Sequence, residues 1–439
     1  MNRFTVTALL LVSQATQAQP PAAVQSIGLG DRQVDALGRP DWSVSADGTL
    51  VVLSSRDPLL PIDRNGLRDI YVFDRRSGQL TLETAGAGAG SSDGDSTMPD
   101  IDGSGRFVVF ISVARNLGVA PVDANLPAVY LRDRWTGTTT FLSGRASHPT
   151  ISDDGRTVVF ESTGACGANE AAGVGGLPHV CLVRVDADAP AFQGVVRTDG
   201  PSPGQSVSPA VDATGARVVF TATGDLTARP DGHDTNDVGD VYLWDVVGGH
   251  ITLVSRAGEG GPANGRSYHP AISADGCHVA FASEATNLVR EARSSRPQVY
   301  VHDTRTGTTR LVSRTAAGRP GNGASIRPAI SRDGRRVAFQ SLASDLLGCP
   351  HCARAEPDVN LLWDVFLHDL DSSTTRLAAA ALDTVSGTHG VVIDRDGVVA
   401  VYGSRQPRNA ADEREDVDLF IVSAVQNEAA RQQVPRRDR

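Results

Sequence analysis

A turn followed by a strand recurs along almost the whole chain, and this repeat constrains the fold more than any other feature of the sequence. Each copy has a polar turn with one glycine: Gly48, Gly105, Gly155, Gly215, Gly276, Gly334 and Gly397. Five residues later comes a large apolar residue: Leu53, Phe110, Phe160, Phe220, Phe281, Phe339 and Tyr402. Aromatic and β-branched residues after a polar turn are typical of a buried strand. Repeats spaced by about 50 to 63 residues indicate supersecondary units that stack on one another.

A second apolar strand follows in every copy. Its third position is nearly always aromatic: Tyr71, Tyr130, Cys181, Tyr242, Tyr300, Phe366 and Phe420. A column of this kind predicts a packing layer between adjacent sheets. The repeats therefore predict an all-β fold, a seven-bladed β-propeller of four-stranded antiparallel blades. We place the blade starts near residues 40, 99, 149, 209, 270, 328 and 390.

The last repeat ends after its third strand, near Ala424. A strand-like segment, AAVQSIG at Ala22–Gly28, stands at the other end of the chain. Because an unpaired sheet edge promotes aggregation, we expect this N-terminal strand to pair with the last blade and close the ring. This reading gives one propeller domain over 19–426 and a polar, disordered tail over 427–439.

The repeat motif itself resembles a known family. The segment Pro328–Ser341 reads PAISRDGRRVAFQS, and related copies are followed by a pattern close to DVYVxDxxTGxTxLVS. This is similar to the WD-like repeats of TolB-like propellers, and the resemblance covers nearly all of the chain after its first residues. What the resemblance implies is an exported binding platform, without naming a ligand.

Charge and the N-terminal sequence limit the partners. The formal net charge is −10, which disfavours nucleic acid and anionic lipid surfaces. The opening MNRFTVTALLLVSQATQAQP has the layout of a signal peptide over 1–18, cleaved after Ala18. No later stretch is long and apolar enough to predict a membrane span. We expect a periplasmic or secreted monomer.

The loops before the second apolar strands carry a repeated acidic pattern. Three loops share one spacing of oxygen-bearing side chains: Asp63, Asn65 and Asp69; Asp234, Asn236 and Asp240; Asp358, Asn360 and Asp364. Such oxygens are the ligands that calcium prefers, although each loop offers only three side chains. The alternative is that they form Asx turns that fix the entry into the strand. We therefore expect no required cofactor, and calcium is the one cofactor that the pattern allows.

A second candidate site comes from the residue before the proline of each innermost strand. This position, or its equivalent where the proline is missing, holds Arg39, His148, His269, Arg327 and His389 in five of the repeats. Innermost strands line the channel of a propeller, so these side chains are predicted to meet at one channel mouth. Imidazoles there would suit zinc or manganese, whereas the arginines would suit an anionic ligand.

The five cysteines allow disulfides and leave at least one thiol over. Cys349 and Cys352 form a CPHC sequence, for which a local disulfide is favoured over redox chemistry. Cys166 and Cys181 are candidates for a second disulfide within blade 3, which leaves Cys277 unpaired.

Two functions remain open at this point. The first is a non-enzymatic scaffold that binds a protein or glycan through the loops of one face. The second is a metal-dependent propeller lyase or hydrolase with its site at the channel mouth. The absence of a convergent set of nucleophile and base in the motifs favours the first.

Overall fold

The computed structural model describes the chain in segments. These are residues 24–26, 41–86, 90–118, 126–164, 166, 176–185, 190–196, 204–224, 226, 236, 238–258, 260–291, 293–347, 362–379, 388–394, 399–404 and 418–423. For 24–26, 190–196, 379, 388–390, 399–404 and 418–423 the description is limited to the backbone. The predicted signal peptide and the predicted tail lie outside these segments.

The chain forms four-stranded sheets that follow one another in sequence. Blade 1 contains β2 (Trp42–Val44), β3 (Leu50–Ser55), β4 (Asp69–Asp74) and β5 (Leu80–Leu82). Blade 2 contains β6 (Ser96–Ile101), β7 (Phe107–Ser112), β8 (Ala128–Asp133) and β9 (Thr138–Gly144). Blade 3 contains β10 (Ala146–Ile151), β11 (Thr157–Ser162), β12 (His179–Val185) and β13 (Pro190–Val196).

Blades 4 to 6 repeat this plan. Blade 4 contains β14 (Ser206–Val211), β15 (Arg217–Ala222), β16 (Asp240–Asp245) and β17 (His250–Leu253). Blade 5 contains β18 (Ser267–Ile272), β19 (His278–Ser283), β20 (Gln298–Asp303) and β21 (Thr308–Leu311). Blade 6 contains β22 (Ser325–Ile330), β23 (Arg336–Ser341), β24 (Asp364–Asp369) and β25 (Thr374–Ala379). Within the described segments, no helix has the length and apolar character needed to cross a bilayer.

The predicted count of seven blades needs a correction. Six blades are continuous sheets, each formed by four consecutive strands. The last repeat supplies only three strands: β26 (Thr388–Ile393), β27 (Val399–Ser404) and β28 (Asp418–Ser423). These three strands form a composite closing sheet with β1 (Val24–Ser26), in the order β1-β28-β27-β26. The propeller therefore has six continuous blades rather than seven, and the closing sheet takes its outer strand from the other end of the chain. In that sheet β1 pairs antiparallel with β28, with Gln25 opposite Ile421.

The closing sheet packs between the last blade and the first. Val391 and Ile393 of β26 lie in a buried cluster with Val365 of blade 6. Val392 packs against the cluster of Trp42 in blade 1. Alternate residues of one strand thus face the two neighbouring sheets, as the period of a β-strand dictates.

The aromatic columns form the core between blades. Four ring pairs stack across the second and third strands of a blade, with centroids 5.8 to 6.0 Å apart: Phe110–Tyr130, Phe220–Tyr242, Phe281–Tyr300 and Phe339–Phe366. In blade 3 the register places Cys181 opposite Phe160. These rings are almost fully buried and contact the neighbouring blade, which explains why every repeat keeps a large apolar residue there.

The turns between the first two strands close one end of the channel wall. Their glycines have positive φ, for example 65° at Gly48, so a side chain there would be strained. Backbone hydrogen bonds join these turns from each blade to the next: Ala46 N to Gly103 O, Gly103 N to Asp153 O, Asp154 N to Ala213 O, Ala213 N to Ala274 O and Ala274 N to Arg332 O. In an antiparallel blade the longer loops between the second and third strands lie at the opposite end. We call these two ends the turn end and the loop end.

Candidate functional site

The first strands of the blades form the channel wall, and each described one carries the same distortion. In blades 2 to 6 the pairing between the first and second strands shifts around the residue before the proline. That residue has φ between 50° and 59°: Met98, His148, Ser208, His269 and Arg327. A residue before proline normally prefers an extended conformation, so the left-handed geometry comes from the bulge. Because it recurs in every one of these blades, we assign the distortion to the scaffold.

The bulge positions hold part of the predicted channel-mouth set. His148, His269 and Arg327 occupy the same position in blades 3, 5 and 6, and each is partly exposed. Arg39 lies outside the described residues, and His389 is described in its backbone only. Burial lowers the pKa of the Arg327 guanidinium, which nevertheless stays charged near neutral pH. The described part of the mouth thus carries a fixed positive charge and two imidazoles.

Glu161 distinguishes blade 3 from the other blades. This side chain is only 6% exposed, and its Oε1 accepts a hydrogen bond of 2.6 Å from Ser208 N in blade 4. Its Oε2 accepts a bond from Ser147 Oγ and lies 3.0 Å from His148 Nδ1, although that nitrogen is not aligned for a hydrogen bond. A buried carboxylate this close to an imidazole can orient the ring. Blade 1 contains a related contact, in which Asp41 Oδ1 accepts a bond of 2.6 Å from Met98 N of blade 2, but the carboxylate of blade 3 is the one that lies next to a histidine.

Sequence reasoning missed Glu161, although a signal was present. The position directly after the large apolar residue holds Ser54, Ile111, Glu161, Thr221, Ala282, Gln340 and Gly403 in the successive repeats. Glu161 is the one acidic member of this column. A comparison of the repeats for the residue that departs from the others would have identified it.

On the side of blades 1 to 3 the wall is held by side-chain hydrogen bonds. Asp100 Oδ1 accepts a bond of 2.6 Å from Ser43 Oγ in blade 1. Asp100 Oδ2 accepts bonds from Thr150 Oγ1 and Ile151 N in blade 3. The carboxylate therefore links three neighbouring blades and has a structural role in the wall.

An ion pair bridges the channel at the turn end. Arg332 Nη1 of blade 6 contacts Asp153 Oδ1 of blade 3. These two blades are not neighbours in the ring, so the pair spans the channel at the level of the turns. His148 lies near the loop end of β10, whose other end leads directly to Asp153. The mouth positions therefore lie at the end of the channel opposite the Arg332–Asp153 contact.

The predicted metal ligands do not form a group of three in the part of the mouth that the structure describes. Among the described residues, the group of three or more His, Cys, Asp and Glu ligand atoms within 4.8 Å of one another is Cys166, His179 and Cys181. Cys166 and Cys181 are joined by a disulfide, so their sulfur atoms are not thiolate ligands in this state. A metal at the mouth stays a prediction that depends on His389.

Of the remaining cysteines, Cys277 is among the described residues, whereas Cys349 and Cys352 are not. Cys277 is a free, partly exposed thiol, and burial together with the neighbouring Asp275 raises its pKa. The disulfide between Cys349 and Cys352 stays a prediction.

The loop of blade 1 that was considered for calcium is held by hydrogen bonds. Asn65 Nδ2 donates to Asp69 Oδ2 over 2.7 Å, and Asn65 Oδ1 accepts from Leu67 N over 2.7 Å. This second bond fixes the amide orientation. Asp69 Oδ1 accepts bonds from Thr84 Oγ1 and Ser92 Oγ. Burial raises the pKa of Asp69, and these donors oppose that change.

Blade 4 repeats the arrangement in the residues that are described. Asn236 Nδ2 donates to Asp240 Oδ2 over 2.9 Å, and Asn236 Oδ1 accepts from Val238 N. In blade 1 Asp63 accepts bonds from Tyr71 Oη and Asn65 N. Asp234, Asp358 and Asn360 lie outside the described residues, and Asp364 is buried at the start of β24. These contacts are those of Asx turns, and the calcium prediction remains to be tested.

We expect calcium and its chelation to leave the thermal midpoint of unfolding unchanged. The reason is that the carboxylate oxygens of Asp69 and Asp240 already accept hydrogen bonds from protein donors, which an ion would have to displace. Differential scanning calorimetry with added calcium and with a chelator measures this directly. A midpoint that rises with calcium, and does not rise with magnesium, would contradict the expectation.

Comparison with known proteins identifies the fold. No protein-family model matches the chain, and no curated protein matches its sequence. An oligogalacturonate lyase from Vibrio parahaemolyticus is 13% identical with a TM-score of 0.53, over 92% of this chain and 93% of that one. A structure from a study of two prolyl endopeptidases is 11% identical with a TM-score of 0.55, over 91% of this chain and 49% of that one. TolB from Acinetobacter baumannii is 16% identical with a TM-score of 0.42, over 75% of this chain, which spans 63% of the TolB chain. At these identities the similarity establishes the β-propeller fold.

Proposed function

We propose that this protein is an exported propeller that binds a protein or glycan partner at the loop end and does not catalyse a reaction. The observation that carries the proposal is the set of polar side chains at the bulge positions of the channel mouth: His148, Ser208, His269 and Arg327. Polar side chains around a channel mouth can bind one protruding group of a partner while the surrounding loops contact the rest.

Arg327 brings a positive charge to this surface of a chain whose net charge is −10. The other mouth positions described in blades 3 and 5 are His148, which lies beside the Glu161 carboxylate, and His269. A partly buried guanidinium interacts more strongly with an anion than an exposed one does, because water screens it less. The proposal therefore includes a partner with an acidic or polar protruding group. Export rests on the apolar segment near the N-terminus.

The proposal predicts a selective loss of binding when the mouth is changed. The variant His148→Ala/His269→Ala/Arg327→Ala should lose a partner that the unchanged protein retains on glycan arrays and in affinity capture from cell-envelope and culture extracts. Removal of two or three hot-spot contacts typically weakens binding by tenfold or more. The matched control is Arg76→Ala/Arg305→Ala, which changes exposed turns at the opposite end. Equal retention by both variants would contradict the placement of the surface.

A metal-dependent lyase or hydrolase is the second candidate, and Glu161 is the observation that favours it. A carboxylate behind an imidazole is the arrangement that orients metal-binding and proton-transferring histidines. His148, with Glu161 behind it and His269 across the mouth, would be the residues to hold such an ion. Elemental analysis of the purified protein separates the two functions: a stoichiometric transition metal that is lost in Glu161→Gln supports the enzyme. Its absence from unchanged protein that has been supplied with zinc and manganese supports the scaffold.

A further inference from the structure

A cleft of about 220 Å³ lies between blades 5 and 6, away from the channel mouth. One wall is β21, the outermost strand of blade 5, and the other is formed by the end of β24 and the following turn of blade 6. Its polar lining consists of Glu291, Thr309, Arg310, Arg314, His368 and Ser373. The rest of the lining is mainly apolar, with Val289, Leu311 and Leu370.

Two guanidinium groups face this cleft without a protein partner among the described residues. No described side chain or backbone carbonyl forms a hydrogen bond or ion pair with the guanidinium of Arg310 or Arg314. Glu291 is the one acidic lining residue; it is exposed and forms no ion pair with either arginine. A pair of unneutralised cations is notable in a chain of net charge −10. A bound anion could pair with both cations.

His368 lines the same cleft as the two arginines. It is 2% exposed, and its Nδ1 lies 2.9 Å from Thr375 Oγ1. Burial, Arg314 and Arg310 together lower the pKa of His368 to about 4, against the opposing effect of Asp369. The imidazole is therefore neutral at physiological pH and offers hydrogen bonds rather than charge.

The neighbouring interface provides an internal comparison. Between blades 4 and 5, His302 and Arg256 take the places of His368 and Arg314, and His302 Nδ1 lies 3.0 Å from Thr309 Oγ1. The place of Arg310 is taken by Thr252, since Arg310 pairs with Val301 and Thr252 pairs with the equivalent Leu243. The histidine and one arginine are thus shared features of these two interfaces. Arg310 adds a second guanidinium group to the cleft between blades 5 and 6, where the neighbouring interface has Thr252.

We propose that this cleft binds a small oxyanion, either a phosphate or a carboxylate group, between Arg310 and Arg314. The planar guanidinium groups present paired N–H donors that match the oxygen atoms of such anions. The hydroxyl group of Ser373 can donate a further bond. The volume accommodates a free ion or the anionic end of a small metabolite, and it is too small for a polymer chain.

Isothermal titration of the full-length protein tests the site with two probes, inorganic phosphate and malonate, in chloride buffer at physiological ionic strength. We expect saturable binding of at least one probe. Arg310→Ala and Arg314→Ala should each weaken it by about tenfold or more, because a charge-assisted hydrogen bond contributes about 1.5–3 kcal/mol. The probe with the higher affinity tells whether phosphate or carboxylate is the preferred chemistry.

Arg256→Ala is the matched control, since it removes the equivalent arginine from the neighbouring interface. This variant should bind as the unchanged protein does, and so should the mouth variant described above. Saturable binding of neither probe would overturn the proposal. So would an equal loss in Arg256→Ala, which would indicate a general effect of surface charge.

Discussion

Alanine in place of Phe281 is expected to lower the free energy of unfolding by about 3–5 kcal/mol. Phe281 is fully buried, and its ring stacks on Tyr300 with a centroid distance of 5.8 Å. It also contacts Val219 and Val241 of blade 4, so the cavity would lie in the interface between two blades. A packed interface of this kind relaxes little, and the lost contacts are not replaced. Equilibrium unfolding in urea, followed by tryptophan fluorescence, measures the change.

Two variants show whether the effect comes from packing. Phe281→Leu keeps most of the apolar volume and should lose less than half as much stability. Thr308→Ala changes an exposed residue of the same blade and should stay within about 0.5 kcal/mol of the unchanged protein. A loss below about 1 kcal/mol in Phe281→Ala would contradict the idea that the aromatic columns hold the blades together.

The strands and the core could be predicted from the sequence because both follow from local pattern. Each copy has a glycine in the turn, and an aromatic residue appears five positions later, as at Phe220 and Phe281. Burial of these residues follows from their type and from the two-residue period of a strand. Repetition then removes the ambiguity that a single short apolar segment would leave. The predicted count of seven blades was wrong because it followed the number of repeats, and the last repeat supplies only three strands, which belong with β1 to the closing sheet.

The site could be predicted only in part, because it depends on contacts between blades. The position before the proline was singled out from the sequence, but its left-handed backbone at His148 and His269 contradicts the usual preference of a residue before proline. The contact of Glu161 with Ser208 joins two repeats 47 residues apart. The bridge from Arg332 to Asp153 joins repeats that are not even neighbours. No local pattern encodes such pairs, since they are set by the closure of the ring.

Deletion of Val24–Ser26 is expected to open the ring and to cause self-association of the protein. These three residues supply the partners of Val422, Ile421 and Phe420 on β28. Without them β28 becomes an edge strand, and its unpaired backbone N–H and C=O groups can pair with another chain. Each lost ladder hydrogen bond removes about 0.5–1.5 kcal/mol of stability, so the thermal midpoint should fall as well.

The matched control replaces Val24, Gln25 and Ser26 by alanine, which keeps the backbone of β1 and therefore the ladder to β28. Sedimentation velocity at increasing protein concentration should show association of the deletion variant and a monomer for the alanine variant. If the deletion variant stays monomeric and melts like the unchanged protein, β1 does not hold the ring closed. In that case the contacts of β26 with blades 1 and 6 would have to keep the closing sheet in place, because they are the other connection that the structure provides. A double variant that also carries Val391→Ala separates the two contributions. The losses of stability in the two single variants add only if the pairing of β1 with β28 and the packing of β26 act independently.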